Sequence, residues 1–251
     1  LTSRAFRVLS STLLVLLWLP VSHGVGETNA RPSAAETVST AATSERETAV
    51  FGGVIDLAAA EAEGVSSEAL RLALSAVACA TSSGAIEPPP TLTVIDYSKP
   101  SVEPRLWVFD MATGELLFSE LVAHGRNTGE NLATDFSDIP ESRQSSIGLF
   151  VTGDTYVGSN GYSLRMDGLE PGFNGHARER AIVMHGAPYV SQEFASQHGR
   201  IGRSWGCPAL SQAAARDVID TVRGGGVVFS YYPNTDWLAT SKFLNGCGSA
   251  N

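Results

Sequence analysis

Two segments carry the residue types that activated-nucleophile chemistry requires. One is Arg203-Ser204-Trp205-Gly206-Cys207-Pro208-Ala209-Leu210, a cysteine in a glycine-bearing turn. The other is Val183-Met184-His185-Gly186, where a histidine closes an apolar run upstream of that cysteine. A thiolate is a strong nucleophile, and a neighbouring imidazole is the usual base that generates it near neutral pH. If Cys207 and His185 meet in space, they form a thiol acyl-transfer site. Gly206 lets the backbone bend so that successive N–H groups face a pocket, which is what an oxyanion needs. Ser204 adds a hydrogen-bonding hydroxyl and Trp205 an aromatic wall, and Gly186, next to the histidine, is read with Gly206 and Ser204 as an oxyanion or support residue.

Other polar residues are weaker candidates. Arg203 adjoins the cysteine motif, and its planar fork suits a substrate carboxylate. Tyr162 and Arg165 lie in Tyr162-Ser163-Leu164-Arg165-Met166-Asp167-Gly168 and are read as substrate-binding too. Arg178-Glu179-Arg180 reads as a surface salt-bridge cluster. His124 also ends an apolar run and precedes a glycine. Together with His185 and Cys207 it could offer zinc three ligands, but the spacing matches no familiar zinc signature and a fourth ligand is missing. No metal is expected.

The elements that must position these residues are mostly strands. Runs at Leu92 to Tyr97, Leu106 to Phe109, Leu116 to Phe118, Leu121 to Ala123, Gly148 to Thr152, Tyr162 to Met166, Ala181 to Met184 and Val227 to Tyr232 are short and apolar, separated by glycine-rich loops. One helix is expected over Ser211 to Arg223, stopped by Gly224-Gly225-Gly226, with its positive end after the cysteine. The fold class is therefore mainly β, of sandwich or barrel type, over residues 91–233. Before it, residues 49–87 read as a helical segment. Ser66 or Ser67 caps a helix there, and Leu70, Leu74 and Val77 form one apolar stripe suited to packing on a neighbouring domain. Glu87-Pro88-Pro89-Pro90 marks the boundary. Residues 234–251 read as a C-terminal tail.

The first residues pair Arg4 and Arg7 with an apolar stretch from Val8 to Leu19, then Pro20 and small residues. Residues 1–24 read as a signal peptide, with an uncleaved anchor as the competing reading. Residues 25–48 are rich in Ala, Ser, Thr and Glu and read as a disordered linker. The formal charge is -9, and removing the two leader arginines gives -9 - 2 = -11. Such a balance argues against nucleic acid and anionic membrane surfaces as partners. Export also bears on the three cysteines. An odd count in an oxidising compartment suggests one pair and one free thiol. With Cys207 free, Cys79 and Cys247 would pair; the alternative is that all three stay reduced, with Cys79 a small apolar helix residue.

His185-Gly186 followed by Ser204-Trp205-Gly206-Cys207-Pro208 resembles the His-Gly and Ser-x-Gly-Cys signature of murein L,D-transpeptidase catalytic domains. Ile95 to Pro100, Leu121 to Gly125, Ser146 to Gly153 and Ala177 to Ala181 resemble the branch with Gly-Cys-Pro. The resemblance spans roughly Thr91 to Tyr232 and implies an L,D-transpeptidase-type β-sandwich acting on peptidoglycan stem peptides in the periplasm or cell envelope. It implies Cys207 as nucleophile, His185 as base and later acid, and the Gly206 and Cys207 N–H groups as oxyanion donors, with Ser204 buttressing the turn. It further implies no cofactor, and a cysteine that carbapenems acylate. The better-studied branch has an arginine two residues after its cysteine; here Pro208 and Ala209 follow, leaving that role to Arg203 or Arg165. Two rival outcomes remain: hydrolysis of the same bond by an L,D-carboxypeptidase or endopeptidase, and a non-catalytic wall-binding domain.

Overall fold

The computed structural model describes residues 55–247, so the expected leader and linker lie outside the described residues. The described region opens with two helices, α1 (Leu57–Ala62) and α2 (Ser67–Ser82). Asp56 and Ser66 cap them: Asp56 Oδ1 accepts from the Ala58 and Ala59 N–H groups, and Ser66 Oγ from that of Ala69. Each cap satisfies amide donors that the first helical turn cannot.

Eight strands follow: β1 (Thr91–Asp96), β2 (Leu106–Asp110), β3 (Leu116–Glu120), β4 (Gly148–Gly158), β5 (Gly161–Gly168), β6 (Val183–Gly186), β7 (Ala209–Leu210) and β8 (Val227–Tyr231). Helices α3 (Gln192–His198), α4 (Ala215–Val222), α5 (Thr235–Thr240) and α6 (Lys242–Asn245) complete the order. The strands form one sheet, β3-β2-β1-β8-β4-β5-β6-β7, with β1–β8 and β6–β7 parallel and the other neighbours antiparallel. The two ends of that order nearly meet: Ala123, just beyond β3, donates its N–H to the Ala209 carbonyl of β7 at 2.8 Å. The fold is thus mainly β with few helices, as the strand pattern predicts.

Alternation along the strands divides two apolar cores. Leu92, Val94, Trp107, Phe109, Leu149, Val227, Phe229 and Tyr231 face one side. Ile95, Leu106, Val108, Phe150 and Val228 face the other, where Leu164, Met184, Leu210 and the Val218, Ile219 and Val222 stripe of α4 close the curled sheet. This is the period-2 rule of a pleated strand acting on both faces at once.

The helical N-terminal segment is no appendage to this architecture. Leu70, Ala73, Ala76, Val77 and Ala80 of α2 are buried in the first core, against the sheet. Leu74, expected in the stripe, is only half-buried; small residues instead let the helix lie close to the strands. The presumed C-terminal tail also differs from expectation. Trp237 of α5 is fully buried in the same core and donates its indole N–H to Glu170 Oε2 at 3.0 Å. A disulfide joins Cys79 of α2 to Cys247 after α6, with a Cα–Cα distance of 5.4 Å. It fastens both chain ends of the described region over one face.

Candidate active site

The second parallel pair builds the site. In the β6–β7 register His185 lies opposite Ala209 and Gly186 opposite Leu210. Cys207 lies in the turn two residues before β7, and its thiol reaches the chain just ahead of β6, where Sγ is 3.6 Å from Ala181 O. His185 is therefore a member of a strand, not the residue after one. The expected strand from Ala181 starts two residues late because Ala181 adopts φ 54°, a left-handed turn conformation.

Cys207 is the free cysteine and is buried, with 8% exposure. Its thiol donates to the Ala181 carbonyl at 3.6 Å. Burial pushes the thiol pKa up, opposed by the Val183 N–H, the Arg180 guanidinium and its own backbone N–H. The resting group is accordingly a protonated thiol. His185 is buried as well, and burial pulls its pKa down, with a smaller opposing effect from the Gly186 carbonyl. Nδ1 lies 3.1 Å from that carbonyl oxygen. A carbonyl only accepts, so Nδ1 carries the proton and Nε2 keeps its lone pair. Among the described residues no hydrogen bond links the imidazole to Cys207; such contacts commonly tighten only when substrate binds.

The turn itself is held by backbone and hydroxyl contacts. Ser204 Oγ donates to the Cys207 carbonyl at 2.6 Å and accepts the Gly206 N–H at 3.1 Å. That second bond corrects one expectation: the Gly206 amide is engaged inside the turn, not presented to an oxyanion. On the far side, Ser204 N–H donates to His124 O and Arg126 N–H to Ser204 O, at 2.9 and 2.8 Å. Ser145 Oγ accepts the Gly125 N–H at 3.0 Å and donates to Gly206 O at 3.2 Å. Gly206 has φ 123°, and a Cβ there would lie 2.7 Å from Gln144 O. Only glycine fits both constraints.

The substrate-binding candidates separate. Trp205 is 66% exposed at the rim, with the Arg143 guanidinium 4.8 Å above its ring. Arg203 instead bonds Glu130, Gly129 O and Arg126 O at 2.7, 2.8 and 3.1 Å. Tyr162 donates to Asp220 at 2.5 Å beneath the Arg216 guanidinium, and Arg165 lies 4.2 Å over the Tyr156 ring. These three side chains have partners away from the thiol. Helix α4 begins at Ala215, four residues later than expected, and abuts Gly186, not the cysteine.

Three contributors escaped the sequence reading. Arg180, taken for part of a surface cluster, is half-buried beside the turn, whereas Arg178 does form the expected surface ion pair, with Asp167. Tyr97 and Tyr189 both sense the Cys207 charge, and burial pushes each to about 12.

A mainly β domain that carries a histidine on one strand and a buried thiol in the turn leading into the parallel strand beside it defines a class of thiol-bearing site. The chain belongs to the L,D-transpeptidase catalytic domain family, whose model matches residues 61–231. Among solved structures it is similar to an L,D-transpeptidase from Mycobacterium smegmatis, with 15% identity over 57% of this chain and 59% of that one, TM-score 0.37. It is also similar to L,D-transpeptidase 3 from Mycobacterium tuberculosis, with 15% identity, 57% and 62% coverage and TM-score 0.36. A third is the helical cell shape determining protein of Campylobacter jejuni, with 12% identity, 62% and 55% coverage and TM-score 0.37. The chain spans about three fifths of the length of these structures. No curated protein matches it.

Proposed function

We propose that this protein is a cysteine-dependent L,D-transpeptidase that remodels peptidoglycan stem peptides outside the cytoplasm. The observation that carries the reading is the buried Cys207 thiol, two residues ahead of the strand that pairs with His185, whose Nδ1 bonds the Gly186 carbonyl and so leaves Nε2 as the basic nitrogen. His185 Nε2 takes the thiol proton as Sγ attacks the carbonyl carbon of diaminopimelate. The carbon–nitrogen bond to the terminal D-alanine breaks, the imidazolium returns its proton to that amine, and a thioester remains. The Nδ1–H bond to Gly186 O steadies the imidazolium while it exists. With the Gly206 N–H bonded to Ser204, the Cys207 N–H is the oxyanion donor left in the turn. An amine of a second stem then attacks the thioester, and the thiol is regenerated.

A stem tetrapeptide incubated with the folded, reduced protein is expected to release D-alanine, and Cys207→Ala to release none. Mass spectrometry then separates the products: a cross-linked dimer marks transfer, and a trimmed tripeptide marks water as acceptor. Release of D-alanine by Cys207→Ala at the parent rate would overturn the proposal.

A further inference from the structure

The branch resembled here lacks an arginine after its cysteine, yet one guanidinium does reach the nucleophile's turn. Arg180 Nη2 would lie 3.5 Å from a Cβ built on Gly206. The guanidinium is locked in place by four acceptors from one segment. Nη1 donates to Ser137 O and Ser146 Oγ at 2.6 and 2.5 Å, and Nη2 to Ser142 Oγ and Gln144 O at 3.1 and 2.7 Å. All four are neutral, so the positive charge is held without an ion pair. The nearby carboxylate, Asp138, is bonded to His176 through its N–H at 3.0 Å and its Nδ1 at 2.9 Å. Arg178, Arg200 and Arg203, by contrast, are paired with carboxylates.

We propose that Arg180 is a positioning residue for the nucleophile: it holds a fixed positive charge against the Cys207 turn and anchors the strained Ala181 whose carbonyl receives the thiol. The inference rests on the cysteine chemistry proposed above. A non-glycine residue at φ 54° persists only where its surroundings over-determine it. Arg180, one residue earlier, supplies that anchor through its four bonds. The charge acts on the same group: the guanidinium favours the thiolate and limits the rise that burial imposes. The other titratable groups near Cys207 are Tyr97 after β1 and Tyr189 beyond β6, with His185 on β6 opposite Ala209. Of these, the two tyrosines are pushed to about 12 and stay neutral near pH 8. Facing Arg180 is Asp138, partnered by His176.

The test is the pH dependence of Cys207 alkylation by iodoacetamide, read by intact mass alongside the melting temperature. Arg180→Gln is expected to slow alkylation at pH 8 about tenfold, the loss a one-unit rise in thiol pKa produces. Arg180→Lys, which keeps the charge, should recover most of that rate. Superimposable profiles for wild type and Arg180→Gln, or equal losses in Arg180→Gln and Arg180→Lys, would overturn the proposal. A merely structural clamp would move only the melting temperature. Should Arg180→Gln fail to fold, Asp138→Asn carries the test. Removing that carboxylate leaves the guanidinium less neutralised, so alkylation should accelerate two- to threefold, on the order expected for a charge a residue removed; an unchanged or slower rate would overturn the proposal. Wild-type protein that resists alkylation at every pH where it stays folded would instead remove the cysteine chemistry itself.

Discussion

The chain contains two His-Gly pairs after apolar runs, Val122-Ala123-His124-Gly125 and Val183-Met184-His185-Gly186, and both border the Cys207 turn. Locally they read alike, yet the structure gives them opposite chemistry. Arg105 Nη2 lies 2.8 Å from His124 Nδ1, and a guanidinium only donates, so that nitrogen accepts. Nε2 must then carry the proton and donate to Gly129 O at 3.3 Å. Both ring nitrogens of His124 are engaged, and burial, aided by Arg105, pulls its pKa down to about 3. His185 uses one nitrogen and keeps the other. A histidine becomes a base through what its neighbours leave unbonded, not through its place at the end of an apolar run.

The glycines divide in the same way. A Cβ on Gly125 would strike Arg143 O and come within 3.0 Å of Gly206 Cα, so this pair is a backbone-to-backbone contact beneath the Cys207 turn. A Cβ on Gly186 would press on the Ala215 methyl group at 3.0 Å, with backbone no closer than Gln212 Cα at 3.4 Å. The first pair packs backbone against backbone, and the second leaves one histidine ring nitrogen without a hydrogen bond among the described residues.

Substitutions can break this division. The largest effect is expected from His185→Ala, which should slow Cys207 acylation by about 10²–10⁴-fold, the usual contribution of a general base, with little change in melting temperature. Equal acylation rates would erase the distinction between the two histidines. Gly125→Ala should destabilise the fold by about 3 kcal/mol in chemical denaturation, because the obstacles are backbone atoms that cannot swing aside.

His124→Ala should cost about 2 kcal/mol by leaving buried Arg105 short of an acceptor, while the acylation rate of the folded fraction changes less than tenfold. The same residue sets a pH dependence. The unfolded chain protonates its imidazole near 6.5, whereas folded His124 resists protonation until about 3. Stability conferred by neutral His124 is therefore present above pH 6.5 and is lost as pH falls toward 3. Melting curves across that window should decline less steeply for His124→Gln than for wild type. Smallest of all, Gly186→Ala should cost under about 1 kcal/mol, since a methyl–methyl approach can relax by a few tenths of an ångström.

Much of this was legible in the sequence because period and punctuation carry it. Strands β1, β2, β4, β5 and β8 follow apolar runs closed by glycine or charge, and Ser66 announces α2. Cys207 and His185 stand out because few residue types can act as nucleophile and base. What sequence pattern hides is partnership. Arg180 and Arg178 sit in one charged cluster, yet Arg178 meets a carboxylate on β5 and Arg180 meets neutral oxygens of residues 137–146. Arg203 adjoins the cysteine in sequence but is drawn to Glu130. The two-residue strand β7 and the left-handed Ala181 carry no local signal at all, because long-range pairing imposes both. Helices α5 and α6 were missed as core elements since Trp237 and Phe243 lie in a short polar context whose burial depends on α2 and β8.

The central claim is that Cys207 is the nucleophile and His185, not His124, its base. Intact-mass kinetics with a carbapenem test it most directly. One adduct should form on wild-type protein and map to Cys207; it should form at a comparable rate on folded His124→Ala, far more slowly on His185→Ala, and not at all on Cys207→Ala. An adduct that persists in Cys207→Ala, or one that forms as fast without His185 as with it, would contradict the account.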